Sequence, residues 1–550
     1  MDEAANVPGT RTVDVAVVGA GFAGLCLLHR LRQSGFSARV FEKGESVGGT
    51  WHWNRYPGAR CDIESFDYCF SFSPQLLSDW RWTERYAAQP EILRYLDHVA
   101  DRFDLRRDIA LGTEVLSARF DEGRALWTLE TSDGGLVDAR YCVLAVGNLS
   151  AVQPPDFPGL ETFAGDWYHT GQWPAEPVDF TNKRVAVIGT GSSGIQTITA
   201  VAPVVDRLYV LQRTPNYSMP AHNHDIGEAE RVAVLADWER RRRTCEMSDA
   251  GTPLPAPTRR AVDVSGAERE AAYEQGWQRG GLSALSGAFT DMFTSEESNF
   301  CAQEFARRKI REIVDDESNA DLLSPRHHIG TKRTCVDTGY FETFNRDNVE
   351  LVDVRRSPIQ GINVHGIQTV DEQIDVEAII FAIGFDAITG AVDQIEVRGR
   401  EGRLLKDHWA LGPRTLLGLQ TAGFPNLFFV TGPGSPSVLS NMVVSVEQHV
   451  DWIAACLDHM QESGYDTIEP TPEAEDAWMS RVDALASATL YPQANSWYLG
   501  ANLPGKPRAF TVYVAGCGPY RRECDEAVAA GYQGFAMTSW TEASGTEIKV

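Results

Sequence analysis

Apolar positions along this chain form short, β-branched runs set between longer stretches of helical spacing. The mostly apolar run Val13–Val18 leads straight into Gly19-x-Gly21-x-x-Gly24; an amphipathic stretch follows, and a second apolar run ends at Val40-Phe41-Glu42. This order predicts strand, tight turn, helix, strand. It returns at 183–216, where Val185–Ile188 feeds Gly189-x-Gly191-x-x-Gly194. Two further apolar runs, 139–150 and 378–390, each lead out of a strand into a turn, as expected of a chain that returns to complete both units. The stretch 222–328 is different: charged and poor in β-branched runs, it predicts a mainly helical insertion, with Pro-rich 251–260 as an exposed loop. Near the end, 447–460 and 472–490 carry helical periodicity. The pattern predicts an α/β chain with two Rossmann-like dinucleotide-binding domains and a helical insertion.

Composition narrows the partners. A chain of 550 residues, 43% apolar, can bury several cores. With 50 Lys+Arg against 76 Asp+Glu, its formal charge of −26 repels phosphate backbones and anionic membranes, so neither is an expected partner. An anionic ligand needs a local cradle working against that field. The ten cysteines show no C-x-x-C pair and no zinc spacing, and no metal site is expected. Scattered thiols, an acidic start without an export pattern and the absence of a ~18-residue apolar span all point to the cytoplasm. No obligate protein partner is evident.

The glycine turns carry specific mechanics. The first glycine (Gly19, Gly189) permits the turn, and the second (Gly21, Gly191) lets a pyrophosphate approach backbone N–H groups at a helix N-terminus. The third (Gly24, Gly194) allows close helix packing. An acid about 20 residues on binds ribose hydroxyls. Glu42 stands 42 − 19 = 23 residues past the first glycine; the same step from Gly189 reaches Gln212, followed by Arg213 and Thr214. A carboxylate would repel a 2′-phosphate, whereas a guanidinium matches it with charge-assisted hydrogen bonds. The first fold therefore suits FAD and the second NADP(H).

Two motifs carry a resemblance. Residues 163–174 read F-A-G-D-W-Y-H-T-G-Q-W-P, and residues 48–62 read G-G-T-W-H-W-N-R-Y-P-G-A-R-C-D. They resemble, at every fixed position, the two signatures of type I Baeyer–Villiger monooxygenases, and the likeness, strongest to the phenylacetone and steroid enzymes, covers nearly the whole chain. The resemblance implies an NADPH-dependent FAD monooxygenase. Reduced flavin and O2 would form a C4a-peroxyflavin, which attacks a hydrophobic ketone to give an ester or lactone. It implies catalytic roles for Arg333, as the fixed cation beside the flavin, and for Asp62, which orients it. Lys332 is placed with Arg213 and Thr214 near the NADP phosphate, and Trp497 at the nicotinamide half. Thr50, Trp51, Tyr68, Ser192, Ser193 and Met442 complete the cofactor contacts, while Ser437, Val438 and Leu439 match a loop bordering the substrate pocket. Trp53 is read as a core aromatic, and His169 and Trp173 as linker residues coupling the two domains. The expected division is 1–150 and 386–550 for the FAD-binding domain with C-terminal helices, 151–221 and 329–385 for the NADP-binding domain, and 222–328 for the insertion.

Three other readings share parts of this pattern. A flavin-containing heteroatom oxygenase has the same folds, but its related signature lacks Trp173-Pro174. A flavin disulfide reductase needs a redox cysteine pair. A non-oxygenating FAD/NADPH sensor has no use for Arg333 and Asp62.

Overall fold

The computed structural model describes residues 11–539 and the backbone of 548–549. Its frame is two sheets. In the first, Arg11–Val18 lies parallel between Ala38–Phe41 and Leu136–Leu144. Val15, Ala16 and Val17 are fully buried, the pattern of a strand covered on both faces. The chain comes back to this sheet twice: Leu427–Phe429 pairs with Leu136–Leu144, and Glu396–Arg398 pairs with Val115–Asp121. Helix Phe22–Gln33 buries Leu25, Leu27, Leu28 and Leu31 on one side of it, and the 22-residue helix Met442–Ser463 packs over that helix.

The second sheet has five strands, all parallel, in the order Val349–Asp353, Arg207–Gln212, Arg184–Ile188, Ala378–Phe381, Asp166–His169. The two further apolar runs thus go to different sheets, 139–150 to the first and 378–390 to the second. Between 222 and 328 the regular elements are helices, Gly266–Arg279 and Glu296–Ile313 being the longest. They close over a core of their own that includes Tyr273, Trp277, Phe289 and Phe305.

The tail holds helices Met442–Ser463 and Pro472–Ser487 over the two periodic stretches, and a further one, Cys517–Ala529, that periodicity did not single out. Among the described residues no helix is long and apolar enough to cross a membrane.

Candidate active site

Both glycine turns are built alike. Gly19 and Gly189 have φ of +104° and +110°, and a Cβ there would lie 2.6 Å from Ala145 O and 2.4 Å from Ala382 O. Only glycine fits. A Cβ at Gly24 or Gly194 would stand 1.9 or 2.2 Å from the carbonyl oxygen of Gly19 or Gly189. These two positions lie behind the turn and set the helix-to-strand distance, without facing the cavity. The helices Phe22–Gln33 and Ser192–Val201 start from Gly21 and Gly191 with no side-chain cap, which leaves their first N–H groups free for an anion.

Both turns open into one cleft of about 1810 Å³. It exceeds the usual 300–1,000 Å³ of a small-ligand pocket and suits two dinucleotides plus a substrate. Glu42 is nearly buried at its edge, where its carboxylate accepts from Ala20 N and Gly44 N, both at 2.8 Å. At the matching place Gln212 turns its amide nitrogen to Leu322 O at 2.8 Å, and its Oε1 is buried without a partner. Arg213 and Thr214 follow at the rim. These donor sets fit a ribose with free hydroxyls in the first fold and a phosphate-bearing ribose in the second.

At the centre, 271 residues of sequence collapse into one contact. Arg333, just ahead of strand Cys335–Asp337, donates from Nε and Nη2 to the two Asp62 oxygens, each at 2.8 Å, and from Nη1 to Val438 O at 2.6 Å. Both side chains are about one-fifth exposed and line the cleft. Burial pulls the guanidinium's pKa down, but the charge and hydrogen bonds of Asp62 outweigh it and raise the pKa above the ordinary arginine value. Arg333 is therefore a permanent cation. A guanidinium has five N–H donors, so beyond these three bonds it still has hydrogen to offer.

The sequence-predicted residues gather here unevenly. Thr50, Trp51, Tyr68, Ser192, Ser193, Lys332, Met442 and Trp497 line the cleft, as does Val438. Trp51 Nε1 donates to Tyr68 Oη at 3.3 Å, which ties these two together. Ser437 and Leu439 do not line it. Ser437 sits in a left-handed turn (φ +45°), fully buried, where its hydroxyl accepts from Asn148 Nδ2, and Leu439 packs on a neighbouring apolar cluster. Trp53 is not core: it lines the cleft, with Lys43 5.6 Å from its ring.

The two signature motifs meet, since Trp173 N donates to Trp53 O at 3.3 Å. His169 ends a strand paired with Phe381. Burial lowers its pKa, and its Nδ1 accepts from Gly171 N.

Sequence reasoning missed three residues. Gln196 of helix Ser192–Val201 accepts from Tyr56 Oη at 2.8 Å and donates to Arg60 O, binding one nucleotide domain to the other's signature loop. Its sequence gives little sign of this, since the helix also carries Ser192, Ser193, Thr197 and Thr199. Asn148 lines the cleft and donates to Thr431 O as well as to Ser437. Thr431, Ser437 and Ile388, whose N–H binds Asn148 O, all have positive φ, so local strain clusters on this one residue. Arg355 reaches Thr214 Oγ1 at 3.0 Å. Neither residue belongs to a motif.

All ten cysteines are free, and those nearest the chemistry are poorly suited to redox work. Burial raises the pKa of Cys61 and pushes Cys335 up to about 12. Among the described residues no group of His, Cys, Asp and Glu could hold a metal ion.

A nucleotide fold with a carboxylate, a second with cations, and a fixed guanidinium between them define a two-dinucleotide flavoprotein oxidoreductase. Residues 12–228 match the flavin-binding monooxygenase-like family. The chain is 42% identical over 532 residues (96% of this chain, 100% of the relative) to an acetone monooxygenase (methyl acetate-forming) from Gordonia sp. strain TY-5. It is 39% identical over 536 residues (96% and 97%) to a phenazine N-monooxygenase from Lysobacter antibioticus. Among solved structures, an oxidized steroid monooxygenase bound to NADP superposes with a TM-score of 0.92 at 50% identity, covering 96% of this chain and 99% of that one. The chain belongs to the flavin-binding Baeyer–Villiger monooxygenases.

Proposed function

We propose that this chain uses NADPH, O2 and FAD to insert one oxygen atom beside the carbonyl of a hydrophobic ketone. The balance is ketone + O2 + NADPH + H⁺ giving ester or lactone, water and NADP⁺. Bound FAD supplies the redox chemistry, with NADPH as hydride donor and O2 as oxygen source. In this reading Glu42 holds the FAD ribose and the turn at Gly21 its pyrophosphate. Gly191 receives the pyrophosphate of NADPH, Arg213, Thr214 and Lys332 its 2′-phosphate, and Trp497 its nicotinamide half.

The Arg333–Asp62 pair carries the proposal. Asp62 fixes the guanidinium plane and Val438 O fixes its rotation; with the Tyr498 hydroxyl also beside the group, the N–H left over is held for the ketone oxygen as it gains negative charge. Arginine offers that charge without surrendering a proton in a partly dehydrated cleft. Met442, Val438 and Val446 give the cleft an apolar wall suited to a hydrophobic ketone. Free cysteines suit a reducing compartment, and we place the enzyme in the cytoplasm.

A second reading, oxygenation at nitrogen, has a specific support in the phenazine N-monooxygenase relative. Attack by nitrogen develops no oxyanion on a substrate carbonyl, so the oriented guanidinium favours the ketone. The test supplies holoenzyme with NADPH and ¹⁸O2 plus a panel of phenylacetone, cyclic ketones, steroids and a phenazine, and weighs the products. One ¹⁸O in a ketone-derived ester is expected. Label appearing only in an N-oxide, or NADPH consumption without any oxygenated product, would overturn the proposal.

A further inference from the structure

We infer that Arg355 is a third cation for the 2′-phosphate of NADPH, so that two adjacent strand ends and one loop hold that phosphate together. The inference rests on the proposed use of NADPH at the second fold. Strands Arg207–Gln212 and Val349–Asp353 are parallel neighbours, with Gln212 opposite Asp353. The chain leaves both strands at the same level, so residues 213–214 and 354–355 emerge side by side at the carboxyl edge of the sheet, where ligands of such folds bind. Arg355 there donates from Nη2 to Thr214 Oγ1 at 3.0 Å. A hydroxyl that accepts from a guanidinium keeps its own O–H to donate, which aims Thr214 at an acceptor such as a phosphate oxygen.

Charge supports the same conclusion. Lys332 reaches this rim from the loop ahead of strand Cys335–Asp337, and its pKa is lowered by burial and then by the positive charges of Arg213 and Arg355. All three cations line the cleft, and none of them makes a salt bridge among the described residues. In a chain with 76 acidic and 50 basic residues, three mutually repelling cations at one rim are an unusual concentration. A phosphate monoester, close to dianionic at neutral pH, would relieve it. Arg356, the next residue, does not line the cleft and serves as an internal control.

The test is calorimetric titration of FAD-loaded enzyme with NADP⁺ and NAD⁺, and with 2′-AMP and 5′-AMP, in Arg355→Ala, Arg355→Gln and Arg356→Ala. Flavin content and Tm confirm that each variant is folded, as expected at an exposed rim. Both Arg355 variants should bind NADP⁺ and 2′-AMP roughly tenfold more weakly, the worth of one hydrogen bond to a charged group. Their affinity for NAD⁺ and 5′-AMP should stay within about twofold, and Arg356→Ala should change neither. Unchanged NADP⁺ affinity in folded Arg355 variants, or an equal loss for NAD⁺, would overturn the assignment. If the wild type itself fails to prefer NADP⁺ over NAD⁺, it is the parent reading of the second fold that falls.

Discussion

The two nucleotide folds share a scaffold and differ at two points. Each has a left-handed first glycine, an uncapped helix and a third glycine pressed against the turn. At the strand end one carries a nearly buried Glu42 held by two backbone N–H groups, and the other a Gln212 tied to the helical insertion with cations behind it. The second difference is cover. A Cβ on Gly21 would meet Gly49 Cα at 3.4 Å, because the 48–50 segment closes over that turn, whereas a Cβ on Gly191 would meet nothing within 4 Å. A covered site suits a group that stays through many turnovers, and an open one suits a cosubstrate that must leave each cycle. On the proposed assignment, the scaffold would provide for pyrophosphate, the strand end would select the ribose decoration, and the neighbouring loop would set residence time.

Substitutions at equivalent positions should affect the two folds to different degrees. The largest effect is expected where the folds are identical: Gly24→Ala or Gly194→Ala drives a methyl into a backbone oxygen, and soluble, flavin-loaded protein should be lost on purification. Gly191→Ala should separate the folds. Its methyl meets no protein atom within 4 Å, so flavin content and Tm should match wild type, while KM for NADPH and NADH should rise together by about tenfold or more, since both bring a pyrophosphate. A rise for NADPH alone would mean that the pyrophosphate lies elsewhere.

The smallest effect is on pH. Burial, Arg213 and Arg355 lower the pKa of Lys332. The ammonium is charged below that pKa and neutral above it, so NADP⁺ affinity should weaken with rising pH sooner than an ordinary lysine would allow, while FAD retention stays flat. Titrations from pH 7 upward test this, and an NADP⁺ affinity constant up to the ordinary lysine range would contradict it.

Much of this site was legible because it follows local rules. A glycine turn between a strand and a helix has one backbone solution, and counting 23 residues onward compares equivalent strand ends. Arg333 and Asp62 were legible only through a family resemblance, since nothing in their spacing of 271 residues predicts a 2.8 Å contact. Arg355 was invisible because strand register places it, and register is a tertiary property. Asn148 was invisible because its role depends on three loops meeting with left-handed residues. The resemblance points to the loop 437–439 as a whole, and the left-handed turn at Ser437 decides which of its side chains reaches the cleft: Val438 lines it, while Ser437 is buried and Leu439 packs on an apolar cluster. Trp53 lines the cleft although its sequence suggests core, because an aromatic near a glycine pair gives no sign of which side it faces.

In the proposed mechanism the Arg333 guanidinium serves the oxygen-insertion step and leaves hydride transfer alone. Arg333→Ala, loaded with FAD, should be mixed with NADPH anaerobically and then with O2 and ketone, following flavin bleaching and ester yield separately. Bleaching should remain within several-fold of wild type, while ester formation falls by about 10²-fold or more, the usual cost of removing an oxyanion partner. Ester yield at the wild-type level from that variant would mean that Arg333 does not serve oxygen insertion.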